Sequence, residues 1–262
     1  MNDPHVEILI YKLKVADNIT YDQPPALDIE YEEFTCHLEA NQLTCTMKAH
    51  YPSLESARKV VEEYLRAWEI DIALRLGRGE LQFVYKDGKV IDRNPPPPES
   101  GRHRVIHCEV GIYAITGLSA TMHVTRKQYP QPSRFFKISP DLEVLWKRYD
   151  MYLDGKEPIC TMAYFCLTVI QQRFGGRRHA SRILSIDQKV LQKLGELSSK
   201  RGDTVTARKA VTRGSAFTPL NDKEKNWIET VVKLLIRRIG EYNSGHELPK
   251  IKMTDLPPLN CL

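Results

Sequence analysis

A change in the spacing of apolar residues along this 262-residue chain is the feature that most constrains its fold. Between residues 34 and 49, apolar and polar side chains alternate, which is the period of a strand with one buried face. After residue 139, apolar side chains recur every three or four positions, which is the period of an amphipathic helix. This change predicts an α+β protein, with a β-rich domain over residues 1–133 and a helical bundle over residues 134–262.

The alternating segment predicts a half-buried antiparallel hairpin that turns at Ala40–Asn41. In that register Leu38 lies opposite Leu43. Cys36 lies opposite Cys45 on the same face, and directly opposed side chains are the pairs that stabilise a sheet. The two cysteines are therefore expected to be core residues, although facing thiols could also oxidise to a disulfide.

One long helix should follow the hairpin, with Ser53 as its N-cap and Gly77 or Gly79 at its end. Beyond it, Asp87–Gly88 predicts the turn of a second hairpin. Two further strands are expected between residues 104 and 129. We therefore expect the N-terminal domain to be an antiparallel α+β domain with one crossover helix.

The C-terminal half contains start signals for four helices, following a linker predicted at residues 129–135. Each signal is a capping residue, a first-turn proline or an acidic residue near the helix start. In chain order they are Ser139–Pro140–Asp141, Glu157–Pro158, Ser185 with Gln188, and Asn221 with Glu224. A small helical bundle is predicted, with an extended arm after the last helix.

The composition is that of a globular protein, with 42% hydrophobic and 27% charged residues. No apolar run approaches the roughly 20 residues that span a bilayer, and the N-terminus lacks the apolar core of a signal peptide. The six cysteines include no Cys-x-x-Cys pair, which argues against zinc and redox sites. We expect a reduced, cytoplasmic protein that does not contact a membrane.

No metal or cofactor is predicted. His103, His107 and His123 fall on or near predicted strands and close to Cys108, but they lack the spacing of a ligand set. The chain also has no Gly-rich phosphate loop, no Gly-x-Ser-x-Gly and no His-Glu-x-x-His. Nucleotide hydrolysis, serine hydrolysis and zinc proteolysis are therefore poorly supported.

The charge is divided unevenly between the two halves. Residues 1–133 carry 15 Lys and Arg against 19 Asp and Glu, whereas residues 134–262 carry 23 against 14. The net charges are −4 and +9, so the second half is the better candidate for binding an anionic polymer. The alternative is an ordinary solvated surface.

A short cationic motif precedes the last predicted helix. Its sequence is R-K-A-V-T-R-G, with Arg208, Lys209 and Arg213 as the cations and Gly214 after them. Two guanidinium groups can hold one phosphate through paired hydrogen bonds, and the adjacent lysine adds a third positive charge. The motif therefore predicts a site for a phosphate group.

The order of helices over residues 141–242, with an Arg-led motif before the last one, resembles the HEPN superfamily (higher eukaryotes and prokaryotes nucleotide-binding domains). It is most similar to members that follow β-rich domains in bacterial phage-defence and abortive-infection proteins. The likeness implies a helical bundle, two copies acting as a homodimer, and metal-independent cleavage of RNA. It also places Arg208 at the family's phosphate-binding arginine and Arg213 at its proton-transfer histidine.

The arginine at the histidine position changes what the resemblance implies. A guanidinium has no free lone pair and stays protonated at neutral pH, so Arg213 cannot take a proton from a 2′-hydroxyl. RNA binding without ordinary cleavage is therefore the first hypothesis. An active ribonuclease is the second, with Arg208 helped by His179 or Glu196. A non-enzymatic sensor or antitoxin-like subunit that binds a protein partner is the third.

A second Arg and His pair lies earlier in the chain. Arg173 and His179 have five residues between them, including two glycines that should end the helix. This pair is a weaker catalytic candidate because it precedes the third predicted helix and not the last. With Arg177 and Arg178 it predicts a basic interhelical loop that flanks an RNA groove.

Overall fold

The computed structural model describes residues 2–94, 123–201 and 218–259. The chain forms two compact units, Met1–Pro132 and Ser133–Leu262, so the division falls inside the predicted linker. The protein belongs to the α+β class, with an antiparallel sheet in the first unit and helices in the second.

The first unit is a five-stranded sheet with one long helix. Its elements in chain order are β1 (Pro4–Lys14), β2 (Ile19–Tyr21), β3 (Leu27–Glu30), β4 (Phe34–Glu39), β5 (Gln42–Met47), α1 (Leu54–Leu76), β6 (Gln82–Asp92) and β7 (Val124–Arg126). The sheet order is β3-β4-β5-β1-β6 with antiparallel pairing throughout, and β2 and β7 form a separate parallel pair. The buried faces of the sheet and of α1 form one apolar core.

The hairpin of β4 and β5 has the predicted register. Leu38 pairs with Leu43, and Cys36 pairs with Cys45. The two sulfur atoms lie 3.3 Å apart in the core, and the hydrogen bond between the thiols together with burial raises the pKa of Cys45. The pair therefore packs in the core as two free cysteines. The turn at Ala40–Asn41 has positive φ at both residues, as a two-residue turn between twisted strands requires.

The ends of α1 are also as predicted. The Ser53 side chain accepts a hydrogen bond from the backbone N–H of Ser56, and Gly77 ends the helix at a φ of 116°. Both ends are specified by local chemistry, since the cap satisfies a free N–H group and glycine tolerates the positive φ.

The predicted hairpin at Asp87–Gly88 is wrong. These residues lie inside β6, which runs on without turning and pairs along the length of β1. Gly88 lies opposite Leu9, and a Cβ there would approach Leu54 to 2.5 Å, so glycine serves close packing at this point. Strand β1 offers a partner over the whole length of β6, and this long-range pairing prevails over the local turn preference. Of the strands expected between residues 104 and 129, only β7 falls among the described residues.

The second unit contains five described helices and a docked C-terminal segment. The helices are α2 (Pro140–Leu153), α3 (Ile159–Arg173), α4 (Arg177–Ile183), α5 (Gln188–Lys200) and α6 (Asp222–Asn243). One apolar face of α6 is buried at Trp227, Val231, Leu235 and Ile239, whereas Leu234 is half-buried. In the parts of the chain that the structure describes, no helix is long and apolar enough to cross a bilayer.

Two of the predicted caps are confirmed and one is wrong. Ser139 caps α2, and Asn221 forms a capping box with Glu224 at the start of α6. The capping box expected from Ser185 does not form, because Asp187 accepts the hydrogen bond from the N–H of Lys189 at the start of α5. Ser185 instead adopts a left-handed backbone conformation, with a φ of 51°.

Replacing two glycines inside helices with alanine should have different effects on the free energy of unfolding. A Cβ at Gly240 would overlap the buried ring of Phe136, whereas at Gly195 it would meet the movable end of Arg177 at 2.8 Å and Leu167 at 3.2 Å. Alanine favours a helix by about 1 kcal/mol over glycine, but overpacking a core costs about 1–3 kcal/mol. We expect Gly240→Ala to lower the free energy of unfolding and Gly195→Ala to leave it unchanged or raise it. Denaturant titration measures both, and a loss at Gly195 as large as at Gly240 would contradict the packing described here.

Candidate functional site

The predicted motif residues Arg208, Lys209 and Arg213 lie within residues 202–217, outside the described residues. The structure does describe both flanks of that segment. Arg201 and Thr218 form a parallel bridge, so the two residues that flank the segment lie next to each other. The Arg201 guanidinium also donates to Glu224 at 2.9 Å, which sets this place beside the first turn of α6.

Arg173 occupies a position between helices of the bundle. Its guanidinium donates to Asp141 at 2.8 Å, to Asn243 at 2.7 Å and to Ser139 at 3.3 Å. These partners belong to the beginning of α2 and the end of α6, and the Arg173 side chain is 21% exposed. The residue therefore joins three helices through three hydrogen bonds.

Arg173 and His179 make no contact with each other among the described residues. His179 is exposed, and its Nδ1 lies 3.3 Å from the carbonyl oxygen of Gly175. Gly175 and Gly176 have φ values of 68° and 108°, which turn the chain between the two residues. The geometry therefore presents His179 to solvent while Arg173 remains inside the bundle.

The basic segment after the two glycines is helix α4, where the sequence predicted a loop. A left-handed glycine pair ends one helix and lets the next begin in a new direction. Arg177 lies against Gly195 of α5, where the missing side chain makes room for the guanidinium. Arg178 and Arg182 are exposed. Within this predicted cluster, one arginine packs on the bundle and the others face solvent.

A half-open cleft of about 690 Å³ lies beside α4. Its volume is in the range of sites that hold small molecules. The cationic side chains that line it are Arg178, His179 (when protonated), Arg182 and Lys250. The other lining residues are Ser181, Ser185, Ile186 and Gln188. None of these described lining residues is acidic, so the cleft concentrates positive charge.

Lys250 reaches the cleft because the C-terminal segment is docked on the turn between α4 and α5. The backbone N–H of Ile251 donates to Ser185 at 2.9 Å, and the N–H of Asp187 donates to Ile251 at 2.8 Å. The buried Arg238 donates to the carbonyl of Pro249 at 2.8 Å. Sequence reasoning missed this lysine, because the only local signal was a short extended arm with no periodicity.

Within the described part of the chain, no carboxylate neutralises the charges in the cleft. Among the described residues, Arg178, Arg182 and Lys250 form no ion pair, whereas buried carboxylates elsewhere in this unit have cationic partners, as in the pair Arg201 and Glu224. A concave surface lined by one sign of charge raises the local concentration of oppositely charged ligands. The cleft is therefore suited to an anion.

Metal chemistry gains no support from the described residues, where no group of three His, Cys, Asp or Glu side chains is placed to hold an ion. His123 has Nε2 3.0 Å from the hydroxyl of Thr20. His103, His107 and Cys108 lie outside the described residues.

Comparison with known proteins gives no match to this chain among family models, curated proteins or solved structures.

Proposed function

We propose that the C-terminal unit binds RNA, or another phosphate-bearing ligand, through a basic surface centred on the cleft beside α4. The observation that carries this proposal is the group Arg178, Arg182 and Lys250, which lines one concavity without a carboxylate partner among the described residues. Guanidinium and ammonium groups bind phosphate oxygens through short, charge-assisted hydrogen bonds.

Arg208, Lys209 and Arg213 are proposed to contribute to the same function. Their segment starts and ends beside the first turn of α6, in the same unit as the cleft. Because Arg213 cannot serve as a base, binding is proposed to occur without ordinary cleavage. The resemblance to HEPN proteins adds the proposal of a homodimer that acts in phage defence or in a toxin-antitoxin pair.

The proposal is tested by fluorescence polarisation with a short single-stranded RNA at two salt concentrations. Each neutralised phosphate should contribute a slope of about −0.7 to the logarithm of the association constant against the logarithm of salt. We expect measurable binding at low salt that weakens steeply as salt rises. Absence of binding at low salt would end the assignment to RNA.

Metal-independent cleavage is the second candidate, because His179 places an exposed imidazole in the cationic cleft. A neutral imidazole can accept a proton where an arginine cannot. Incubation of RNA with the protein in chelator tests this, with Arg208→Ala and His179→Ala as comparisons. Intact RNA in all three reactions would remove the candidate and leave the binding proposal standing.

A further inference from the structure

We infer that the cleft beside α4 recognises the phosphomonoester at an end of RNA, in preference to the phosphodiesters within the chain. This inference rests on the proposed function and adds the class of phosphate that the site takes. Its ligand contacts include Lys250 from the docked C-terminal segment and the Ser185 hydroxyl.

The charge of the cleft favours a terminal phosphate. A phosphomonoester carries a charge of about −1.5 to −2 near pH 7, whereas an internal phosphodiester carries a single negative charge. Arg178, Arg182 and Lys250 surround the concavity, and no acidic residue is among its described lining residues. Three permanent cations around one small space match a compact dianion better than a monoanion.

The shape of the cleft supports the same assignment. A volume of about 690 Å³, half enclosed, accommodates a group of nucleotide size. The cations come from two separate parts of the chain, α4 and the segment after α6, which lie on the lining of one cavity. Cations distributed in this way can contact several oxygens of one phosphate group.

Ser185 adds a neutral hydroxyl to the cleft, and its backbone conformation is strained. Its φ of 51° is a left-handed conformation that glycine adopts freely, whereas other L-residues are strained there by roughly 1–2 kcal/mol. Ser185 nevertheless carries a hydroxyl on the lining of the cleft, and that hydroxyl has no hydrogen bond to the described residues. Strained non-glycine residues concentrate at ligand sites. The hydroxyl is therefore assigned to the ligand.

The same residue anchors the segment that brings in Lys250. The carbonyl of Ser185 accepts from the N–H of Ile251, the residue next to Lys250. Two backbone hydrogen bonds at Ile251 and the Arg238 side chain at Pro249 hold the lysine at the cleft, whereas Lys252 is exposed and does not line it. This difference makes Lys252 a matched control for Lys250.

The experiment compares a short, internally labelled RNA in three forms: with a 5′-phosphate, with a 3′-phosphate, and with hydroxyls at both ends. We expect at least one phosphorylated form to bind about fivefold to tenfold more tightly than the hydroxyl form, as one added charge near a cation predicts. The two phosphorylated forms identify which end is bound. Equal affinity for all three forms would overturn the inference and leave RNA binding intact.

Substitutions then test whether the cleft causes the preference for RNA with a terminal phosphate. Lys250→Gln and Ser185→Gly should each reduce it, whereas Lys252→Gln should keep it. Ser185→Gly relieves the backbone strain, so its thermal stability should equal or exceed that of wild type, which separates loss of the hydroxyl from misfolding. A phosphate preference that survives in both cleft variants would place the site elsewhere and overturn the inference.

If no RNA binds at all, the assignment to RNA fails, and adenosine 5′-monophosphate then tests whether the cleft takes a phosphomonoester on a free nucleotide. Calorimetric titration should then detect the monophosphate and not adenosine, and Lys250→Gln should weaken that binding. Failure to bind the monophosphate would overturn the inference as well.

Discussion

Replacing Arg178, Arg182 and Lys250 together with glutamine should weaken RNA binding by about 100-fold at low salt. A unit charge about 4 Å from a phosphate contributes roughly 1 kcal/mol in a water-like environment, so three contacts contribute roughly 3 kcal/mol. The side chains line one cleft and have no carboxylate partner among the described residues, so the folded unit should lose no ion pair on substitution. The slope of the salt dependence should also become shallower by about 2.

The matched control for this variant removes the same net charge elsewhere. Lys189, Lys223 and Lys252 are exposed lysines of the second unit that do not line the cleft. Their triple replacement by glutamine should change the affinity several times less than the cleft variant does. Equal losses of RNA affinity in the two triple variants would show that binding depends on net charge alone. The cleft would then no longer be assigned as the binding site.

Replacing Arg173 with methionine should lower the free energy of unfolding of the second unit by about 2–3 kcal/mol. The change removes hydrogen bonds to Ser139, Asp141 and Asn243 that join three helices. Hydrogen bonds to charged groups contribute about 1.5–3 kcal/mol each in favourable cases, and the partial exposure of Asp141 reduces the total. The measurement is denaturant unfolding of the full chain followed by helical circular dichroism.

The Arg173→Met variant also tests whether Arg173 stabilises the bundle or binds RNA. Its RNA affinity should stay near that of wild type under conditions where it remains folded, because Arg173 bonds to three residues of the bundle and does not line the cleft. Arg237→Met is the control, since Arg237 is exposed. Its one ion pair among the described residues is the i,i+4 pair with Glu241, which is expected to contribute less than about 0.5 kcal/mol. If the Arg173→Met protein is stable but binds RNA more weakly than wild type, Arg173 is part of the RNA-binding surface, as the sequence predicted.

Several features of the first unit were predictable because their causes are local. The alternation in residues 34–47 specifies which face of the hairpin is buried, and a register slip of one residue would expose that face. Ser53 and Gly77 mark the ends of α1 through capping chemistry that involves only neighbouring residues. In the second unit, Asn221 and Glu224 mark the start of α6 through a capping box.

The incorrect predictions concern residues whose conformation depends on distant partners. Asp87–Gly88 has the composition of a turn, but strand β1 pairs along β6 and keeps both residues extended. Ser185 has the spacing of a capping residue, but docking of Ile251 accompanies a left-handed conformation, and Asp187 caps the helix instead. Long-range hydrogen bonds outweighed local preference at both places.

By itself, the sequence determined the α+β class, the change from strand to helix period, the caps at Ser53, Ser139 and Asn221, and the excess of positive charge in the second half. Each of these follows from side chains within a few positions of one another, or from a sum over the chain. Only the tertiary structure decided which cations share a surface. It placed Arg173 between helices and Arg177 against Gly195, and it brought Lys250 to Arg178 and Arg182 through backbone hydrogen bonds across about 65 positions of sequence.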